Sequence, residues 1–290
     1  LLEFDLQAYD LVISSEAGPA KGVIANPDAF HLCYCHSPMR YLWDMYHEYL
    51  NGASVFFRIF MKLLVPRLRV WDVMSANLVD RFIANSSYTA KRIRRYYNRE
   101  ADIIFAPAAV EKYIGTPRDV KDFYLVLGQI AENKRVDIAM DACIALGKKL
   151  VIAGGGAPGR LLRRAKEAGG GITFTGRVSD GEAARLLSQA KALLFPGIED
   201  MGLVPVEAAA AGCPVIAYRK GGALDTVKEG VTGIFFDEQS AASLSAAIQR
   251  FEAAGSGFAD RAECAAFALR FSKDAFKERV QNTLAERKRV

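Results

Sequence analysis

The chain has 290 residues, 38 basic and 33 acidic, and a net charge of +5. With 51% hydrophobic and 24% charged residues it has the make-up of a globular protein long enough for two cores, which excludes a disordered or low-complexity chain. No apolar run approaches the ~20 residues of a membrane span, and no repeat of solenoid period occurs. The five cysteines are odd in number, scattered and mostly set in apolar runs, as reduced core thiols of a cytosolic protein are. The opening Leu1-Leu2-Glu3-Phe4, without Met, reads as the interior of a longer chain.

In the first half, residues 11–14, 30–35, 81–84 and 102–105 read as strands. Cys33-Tyr34-Cys35-His36 has a metal-like look. Alternate strand residues point to opposite faces, however, and no second Cys/His pair lies at zinc spacing, so a buried strand is the better reading. Residues 55–80 form a long helical stretch that Pro66 is expected to break. Ser86 or Ser87 caps a helix running to about Tyr97. Lys91, Arg92, Arg94, Arg95 and Arg99 crowd one short stretch here. They read either as a solvated face or as a patch for anionic lipid head groups or a phosphate-bearing acceptor; no nucleic-acid motif accompanies them. So few parallel strands do not cover both faces of a sheet, and an opening βαβ portion is expected to be missing. Residues 115–121, with Pro117 and several charges, suit an interdomain linker.

The second half is more regular. Strand-like runs at 123–127, 150–153, 172–174, 192–195, 215–217 and 233–236 alternate with helix-length segments such as 136–146 and 181–190. That alternation implies right-handed crossovers and a parallel, doubly wound sheet, with ligands approaching the carboxyl ends of its strands.

Several residues there suit an anionic, polyhydroxylated ligand such as a nucleotide-linked sugar. Gly202, Leu203 and Val204 precede a helical run, where amides and the helix dipole favour a diphosphate. Glu207 lies on the first turns of that helix, able to accept from two ribose hydroxyls, and Glu199 lies on the preceding loop, within reach of a sugar hydroxyl. On spacing alone the pair fits a solvated loop residue and a helix-dipole partner equally well. Lys134 and Arg135 follow Gly128-Gln129-Ile130 after the first strand of this half. Positive charge is disfavoured at a helix start, and a local rule broken in this way favours a site where Lys134 neutralises a leaving diphosphate. Gly154-Gly155-Gly156 is a weak phosphate-loop signal without the full glycine fingerprint, which argues against a nicotinamide-dependent oxidoreductase. Gly176-Arg177-Val178 offers backbone to a base edge. In the first half, His36 ends a strand and is followed by Arg40, Tyr41, Trp43, Asp44 and Tyr46. This group suits an acceptor sugar or lipid as well as it suits an aromatic core. No Asp-x-Asp pair occurs, so the common way of holding a divalent metal on a sugar-nucleotide diphosphate is absent.

Together, the run from Pro196 through Glu199, Gly202, Glu207, Gly212 and Pro214, followed by Gly221-Gly222-Ala-Leu-Asp225, closely resembles the signature of glycosyltransferase family 4. The stretches 128–139, 176–182 and 31–50 fit the same pattern. His36-Ser-Pro-Met-Arg-Tyr-x-Trp-Asp-x-Tyr resembles the bacterial mannosyltransferases of O-antigen and surface polysaccharide. The resemblance implies an α/β chain of the GT-B type, with two Rossmann-like domains facing a cleft and the N-terminal one incomplete. The expected domains are 1–118, on the acceptor side; 119–271, binding the nucleotide-sugar; and a C-terminal helix, 272–290, packing back on the first domain.

By the same resemblance Glu207 binds the ribose, Glu199 the donor sugar and Lys134 the diphosphate. The amides of Gly202, Leu203 and Val204 complete the pocket, with Gly128, Gln129, Arg135, Arg177 and Val178 around the donor. His36 lies across the cleft near the reacting carbon, and Arg40, Tyr41 and Trp43 are on the acceptor side. No metal and no cofactor is expected beyond a GDP- or UDP-linked sugar substrate. Gln129 stands where the family commonly has Arg, and Met201 where an aromatic is usual. The family's opening strand and glycine-rich loop are not found. The expected activity is transfer of a hexose, foremost mannose from GDP-mannose, with retention onto a lipid-linked or surface glycan. It would take place in the cytoplasm, with peripheral contact to the inner membrane face through residues 91–99. The alternatives are a nucleotide-sugar-binding module or shortened homologue without turnover, and a sugar-nucleotide epimerase.

Overall fold

The apolar runs of the sequence lie in two separate parallel sheets. The structure, a computed structural model, describes residues 4–51, 54–255 and 260–287, so the opening Leu1-Leu2-Glu3 falls outside the described residues. The chain divides into two compact units, Leu1–Phe105 and Ala106–Val290.

In the first unit, strands β1 (Leu11–Glu16), β2 (Phe30–Cys35), β3 (Arg81–Ala84) and β4 (Ala101–Ile103) pair in parallel in the order β1-β2-β3-β4. β2 has a neighbour on each side and is buried along nearly its whole length, as its apolar run requires. Cys33 and Cys35 point to one face, into a cluster with Phe82, Ile93 and Tyr97. Tyr34 and His36 take the other face, their rings edge to face at 5.0 Å. All five cysteines are buried and free. Burial pushes the Cys33 and Cys143 thiols up to about 12, so they behave as small core hydrophobes rather than thiolates. Among the described residues no cluster of His, Cys, Asp and Glu is placed to hold a metal ion.

The long helix runs unbroken from Val55 to Ala76, with Pro66 inside it, contrary to the expected break. Pro66 lies on the exposed side, while its neighbour Val65 is buried. The carbonyl that loses its amide partner to the proline ring therefore faces water, and packing of the opposite side holds the helix together. The helix Ser87–Tyr97 begins as expected, with the Ser86 hydroxyl accepting from the Thr89 amide at 3.0 Å. The basic residues from Lys91 to Arg99 do not form one patch. Arg92 is buried and donates to Ser37 Oγ and Asp44 Oδ1, each at 2.6 Å. Arg99 donates to the carbonyls of Ala76 and Val79, and Arg94 pairs with Glu100.

A second charged group lies deeper. Lys21 is fully buried, its ammonium bound to Asp72 and 3.4 Å from Glu16. Trp43 Nε1 and the Tyr97 hydroxyl also donate to Asp72, at 2.7 and 3.3 Å. The buried charge is thus paired and hydrogen-bonded, the condition under which such a group is tolerated.

In the second unit, β5 (Tyr124–Leu127), β6 (Leu150–Ala153), β7 (Ile172–Gly176), β8 (Leu193–Phe195), β9 (Val215–Tyr218) and β10 (Gly233–Phe236) form one parallel sheet in the order β10-β9-β8-β5-β6-β7. This is the doubly wound arrangement, and its order reverses between β5 and β8. The helices Val136–Ala145 and Ala241–Ala254 pack on it through a continuous core that includes Tyr124, Ile152, Leu194, Ile216, Ile248 and Phe236. The last helix, Lys273–Arg287, follows Phe271, whose carbonyl accepts from the Ala108 amide at 2.8 Å and ties both ends of this unit together.

Candidate functional site

In a parallel doubly wound sheet, loops from the carboxyl ends of the strands meet where the strand order reverses. Here those loops are laced by backbone hydrogen bonds. Gly128 N donates to Ala153 O at 2.9 Å, Ile130 N to Gly155 O at 2.8 Å and Gly154 N to Gly176 O at 2.8 Å. These tie the ends of β5, β6 and β7. Ile198 N donates to Asn133 O at 3.2 Å and Gly222 N to Glu199 O at 2.8 Å, joining the loops after β5, β8 and β9.

At the centre of the lacing, the Lys134 ammonium donates to Oε1 of Glu199. The close approach depends on Gly197, where a Cβ would sit 2.7 Å from Lys134 Cα. Both side chains are about one-fifth exposed, so the pair is sheltered but within reach of a ligand. A Cβ on Gly128 would lie 3.8 Å from the Lys134 ammonium and 3.9 Å from a Val204 methyl, which places the first loop of the unit against the start of the next helix.

That helix, Leu203–Ala210, is capped by Gly202 at φ +80°, and no side chain caps its amides. Gly202 is the residue type that the left-handed conformation favours. The result is an amino-terminal helix end at the sheet's switch point with a lysine beside it, a ready site for a diphosphate. Glu207 lies one turn further on. Burial holds its carboxyl above the usual range, and a hydrogen bond from Tyr113 opposes that rise. Asp180 raises it further and Lys112 lowers it. Lys112 itself pairs with Asp180 at 2.5 Å.

Tyr113 is the residue that sequence reading missed. It follows the short turn Val110–Lys112, ninety-four positions before Glu207, and nothing in its local pattern marks it out. The other expected donor residues have differing environments. Arg135, at φ +49°, is held by its own Asp137, with Nη2 to Oδ2 at 2.9 Å. Gln129 and Arg177 are exposed, and Val178 is half-buried after Gly176 at the end of β7.

The remaining expected residues belong to the first unit. His36 Nε2 is 2.9 Å from Ser15 Oγ at the carboxyl ends of β1 and β2. Trp43 stacks on Tyr96 at 4.8 Å, the Tyr41 hydroxyl donates to Met39 Sδ at 3.0 Å, and Arg40 reaches Met45 Sδ at 3.5 Å. These aromatic and basic groups are thus integrated into the packing of their own unit.

A family model described as "Glycosyl transferases group 1" matches residues 107–268, more than half of the chain and nearly all of the second sheet and its loops. The chain belongs to this family. Among curated proteins, glycogen synthase of Xanthomonas campestris pv. campestris is 31% identical over 154 residues, 49% of this chain and 32% of that protein. Human alpha-1,3/1,6-mannosyltransferase ALG2 is 25% identical over 262 residues, 76% of this chain and 62% of its own length. The chain thus spans about a third of the first of these relatives and about three-fifths of the second.

Solved structures of low identity share the fold. Sucrose-phosphate synthase from Thermosynechococcus elongatus superposes with a TM-score of 0.71 at 20% identity, covering 96% of this chain and 73% of that one. Anabaena Alr3699/HepE in complex with UDP gives 0.72 at 18% identity, covering 89% and 72%. The lipopolysaccharide outer core galactosyltransferase WaaB gives 0.69 at 17% identity, covering 96% and 75%. The α/β architecture with parallel sheets is therefore that of the GT-B glycosyltransferases.

Proposed function

We propose that the second unit binds a nucleoside-diphosphate sugar and that the protein transfers its hexose, with retention, to a lipid-linked or surface glycan. The observation that carries this reading is the Lys134–Glu199 contact beside the uncapped amides of Leu203 and Val204. A cation and a helix amino terminus suit the two phosphates, and a carboxylate at the same place suits a sugar hydroxyl. Glu207, one turn away and half-buried, is the proposed ribose acceptor, with Val178 and Arg177 toward the base.

In this reading the bond from the sugar's anomeric carbon to the diphosphate breaks while the acceptor oxygen attaches on the same face. The acceptor's proton passes to the departing phosphate oxygen. Lys134 and the helix amides stabilise the charge that develops on the leaving group, so the catalysis is positioning and electrostatics rather than a covalent protein intermediate. His36 is proposed as the first unit's contact to the transferred sugar, and Arg40, Tyr41 and Trp43 as its contribution toward the acceptor. Those four rest on the motif from His36 to Tyr46.

Mannose from GDP-mannose is the proposed donor. It draws on the same motif and on the likeness to the mannosyltransferase ALG2, whereas the UDP complex of HepE marks UDP-sugars as the competing choice. Calorimetric titration of GDP, UDP and ADP against the parent and against Glu207→Ala tests the site and names the base. GDP is expected to bind most tightly and Glu207→Ala to weaken it. Equal binding by the variant would remove the ribose assignment, and failure of all three nucleotides would remove the donor site.

A further inference from the structure

An exposed apolar surface lies outside the donor site, on the helix Val55–Ala76. Its inner stripe, Met61, Val65, Asp72 and Ser75, is buried in the first unit. A second stripe at helical spacing is apolar and faces outward: Phe56 is 87% exposed, Phe60 57%, Leu63 68% and Met74 64%. Val55 and Ile59 broaden it over the first turns. Isolated apolar residues on a surface are ordinary, but a contiguous band of phenylalanine, isoleucine and leucine marks a contact surface.

The charges beside this band indicate what it contacts. From Tyr49 to Trp71 the sequence contains Arg58, Lys62, Arg67 and Arg69 and neither Asp nor Glu. Arg69 turns inward to the Leu42 carbonyl and the Trp43 ring, and Arg58 donates one N–H to Leu50 O. Lys62 and Arg67 are exposed, and they lie in the middle of the helix rather than at its ends. Mid-helix cations oppose insertion across a bilayer, and no described helix is long and apolar enough to cross one. An apolar band with cations and no anions suits a helix lying in the plane of an anionic interface, with its rings in the acyl boundary and its ammonium and guanidinium groups among the head groups.

We infer that the Val55–Ala76 helix docks the first unit on an anionic lipid surface, and that this helix, rather than the basic residues between 91 and 99, is the membrane contact. The basic stretch is less suited, because Arg92 is buried on Ser37 and Asp44 and Arg99 is engaged with backbone carbonyls. The inference fits the proposed lipid-linked acceptor but stands on its own observations.

Flotation with vesicles of phosphatidylcholine, with and without phosphatidylglycerol, tests it. The parent is expected to float with the anionic vesicles, to remain largely free with the neutral ones, and to be released as salt rises. Phe56→Ser with Phe60→Ser should lower partitioning by more than about tenfold, and Lys62→Glu with Arg67→Glu should do so on anionic vesicles. Lys91→Glu with Arg95→Glu should leave it within about twofold of the parent.

A parent that stays free of every vesicle overturns the inference. So does equal flotation of the helix variants, or loss confined to the 91 and 95 variant. A dimer in light scattering that the Phe56 and Phe60 changes dissolve, without vesicle binding, assigns the face to a second copy and also overturns it. Thermal melting reports folding, and the charge-reversal pair, on exposed positions, keeps the test open if the Ser pair misfolds. GDP titration of the same variants reads the donor site separately, so failure of the lipid contact and failure of the transferase reading are distinguishable.

Discussion

Lys134 and Glu199 are bound to each other across 65 positions of sequence, which brings the loop after β5 onto the loop after β8 at the point where the sheet reverses its order. In the proposed reaction a diphosphate at this point would take over part of the lysine's charge and leave the carboxylate available to the sugar. The pair is partly exposed, so its contribution to folding is small, about 1 kcal/mol or less. Its proposed role in turnover calls for a much larger effect, because a cation fixed beside a leaving group acts where charge develops. Lys134→Ala is therefore expected to lower kcat by about a hundredfold or more while leaving the melting temperature nearly unchanged. Steady-state transfer assays with thermal melting check this. A variant that retained full kcat would remove Lys134 from the reaction.

As the proposed ribose acceptor, Glu207 ties donor affinity to pH. Its carboxyl is held above the usual range, chiefly by burial, and only its ionised form is a pure acceptor for two ribose hydroxyls. Donor affinity is therefore expected to fall as pH drops, and to begin falling at a higher pH than an ordinary glutamate would impose. The stability effect runs the other way. Burial disfavours the charged form, so this group's contribution to stability declines as pH rises from 4.5 toward its folded-state value. Glu207→Gln should flatten the pH dependence of binding and weaken it by about tenfold to a hundredfold, as loss of a charge-assisted hydrogen bond does. Calorimetry with an intact nucleotide-sugar across the acidic range reads both effects.

Much of the second unit is legible in sequence because buried parallel strands are short continuous apolar runs, and each of β5 to β10 coincides with one within a residue or two. The Lys134, Glu199 and Gly202 group is legible for a related reason: glycine and charge collect in loops that follow those runs. Tyr113 is not legible, since its tie to Glu207 exists only after the sheet has formed. Pro66 misleads because local propensity yields to packing of the opposite face. The basic residues from Lys91 to Arg99 look uniform in sequence, yet Arg92 is a buried donor, Arg99 a carbonyl cap and Arg94 an ion-pair partner. Burial sorts them, and burial is a property of the whole fold.

The Lys21 group makes a prediction about the first unit alone. The ammonium is fully buried, and removing it leaves Asp72 and Glu16 close together without their shared cation. Breaking a buried pair in this way typically costs about 3–5 kcal/mol. Lys21→Ala is expected to lose stability on that scale in urea unfolding. Lys21→Met with Asp72→Asn, which removes the cation together with one of its two carboxylates, should lose distinctly less. Equal losses would show that packing volume rather than charge pairing decides the effect.

Gly197 joins stability to the site. A Cβ there would meet Asn133 O at 2.6 Å and Lys134 Cα at 2.7 Å, contacts that backbone atoms relieve only by moving. Gly197→Ala therefore pushes the turn carrying Lys134 away from Glu199. The expected cost is about 1–3 kcal/mol in stability, as for other overpacked positions, together with weaker nucleotide-sugar binding. Gly155→Ala is the matched control. It lies in the loop after β6, where an added Cβ meets nothing within 4 Å, so unfolding and binding should both stay near the parent. If Gly197→Ala lost stability but bound the nucleotide-sugar normally, the position of Lys134 would not matter to the donor. That result would contradict the role given to the Lys134–Glu199 pair.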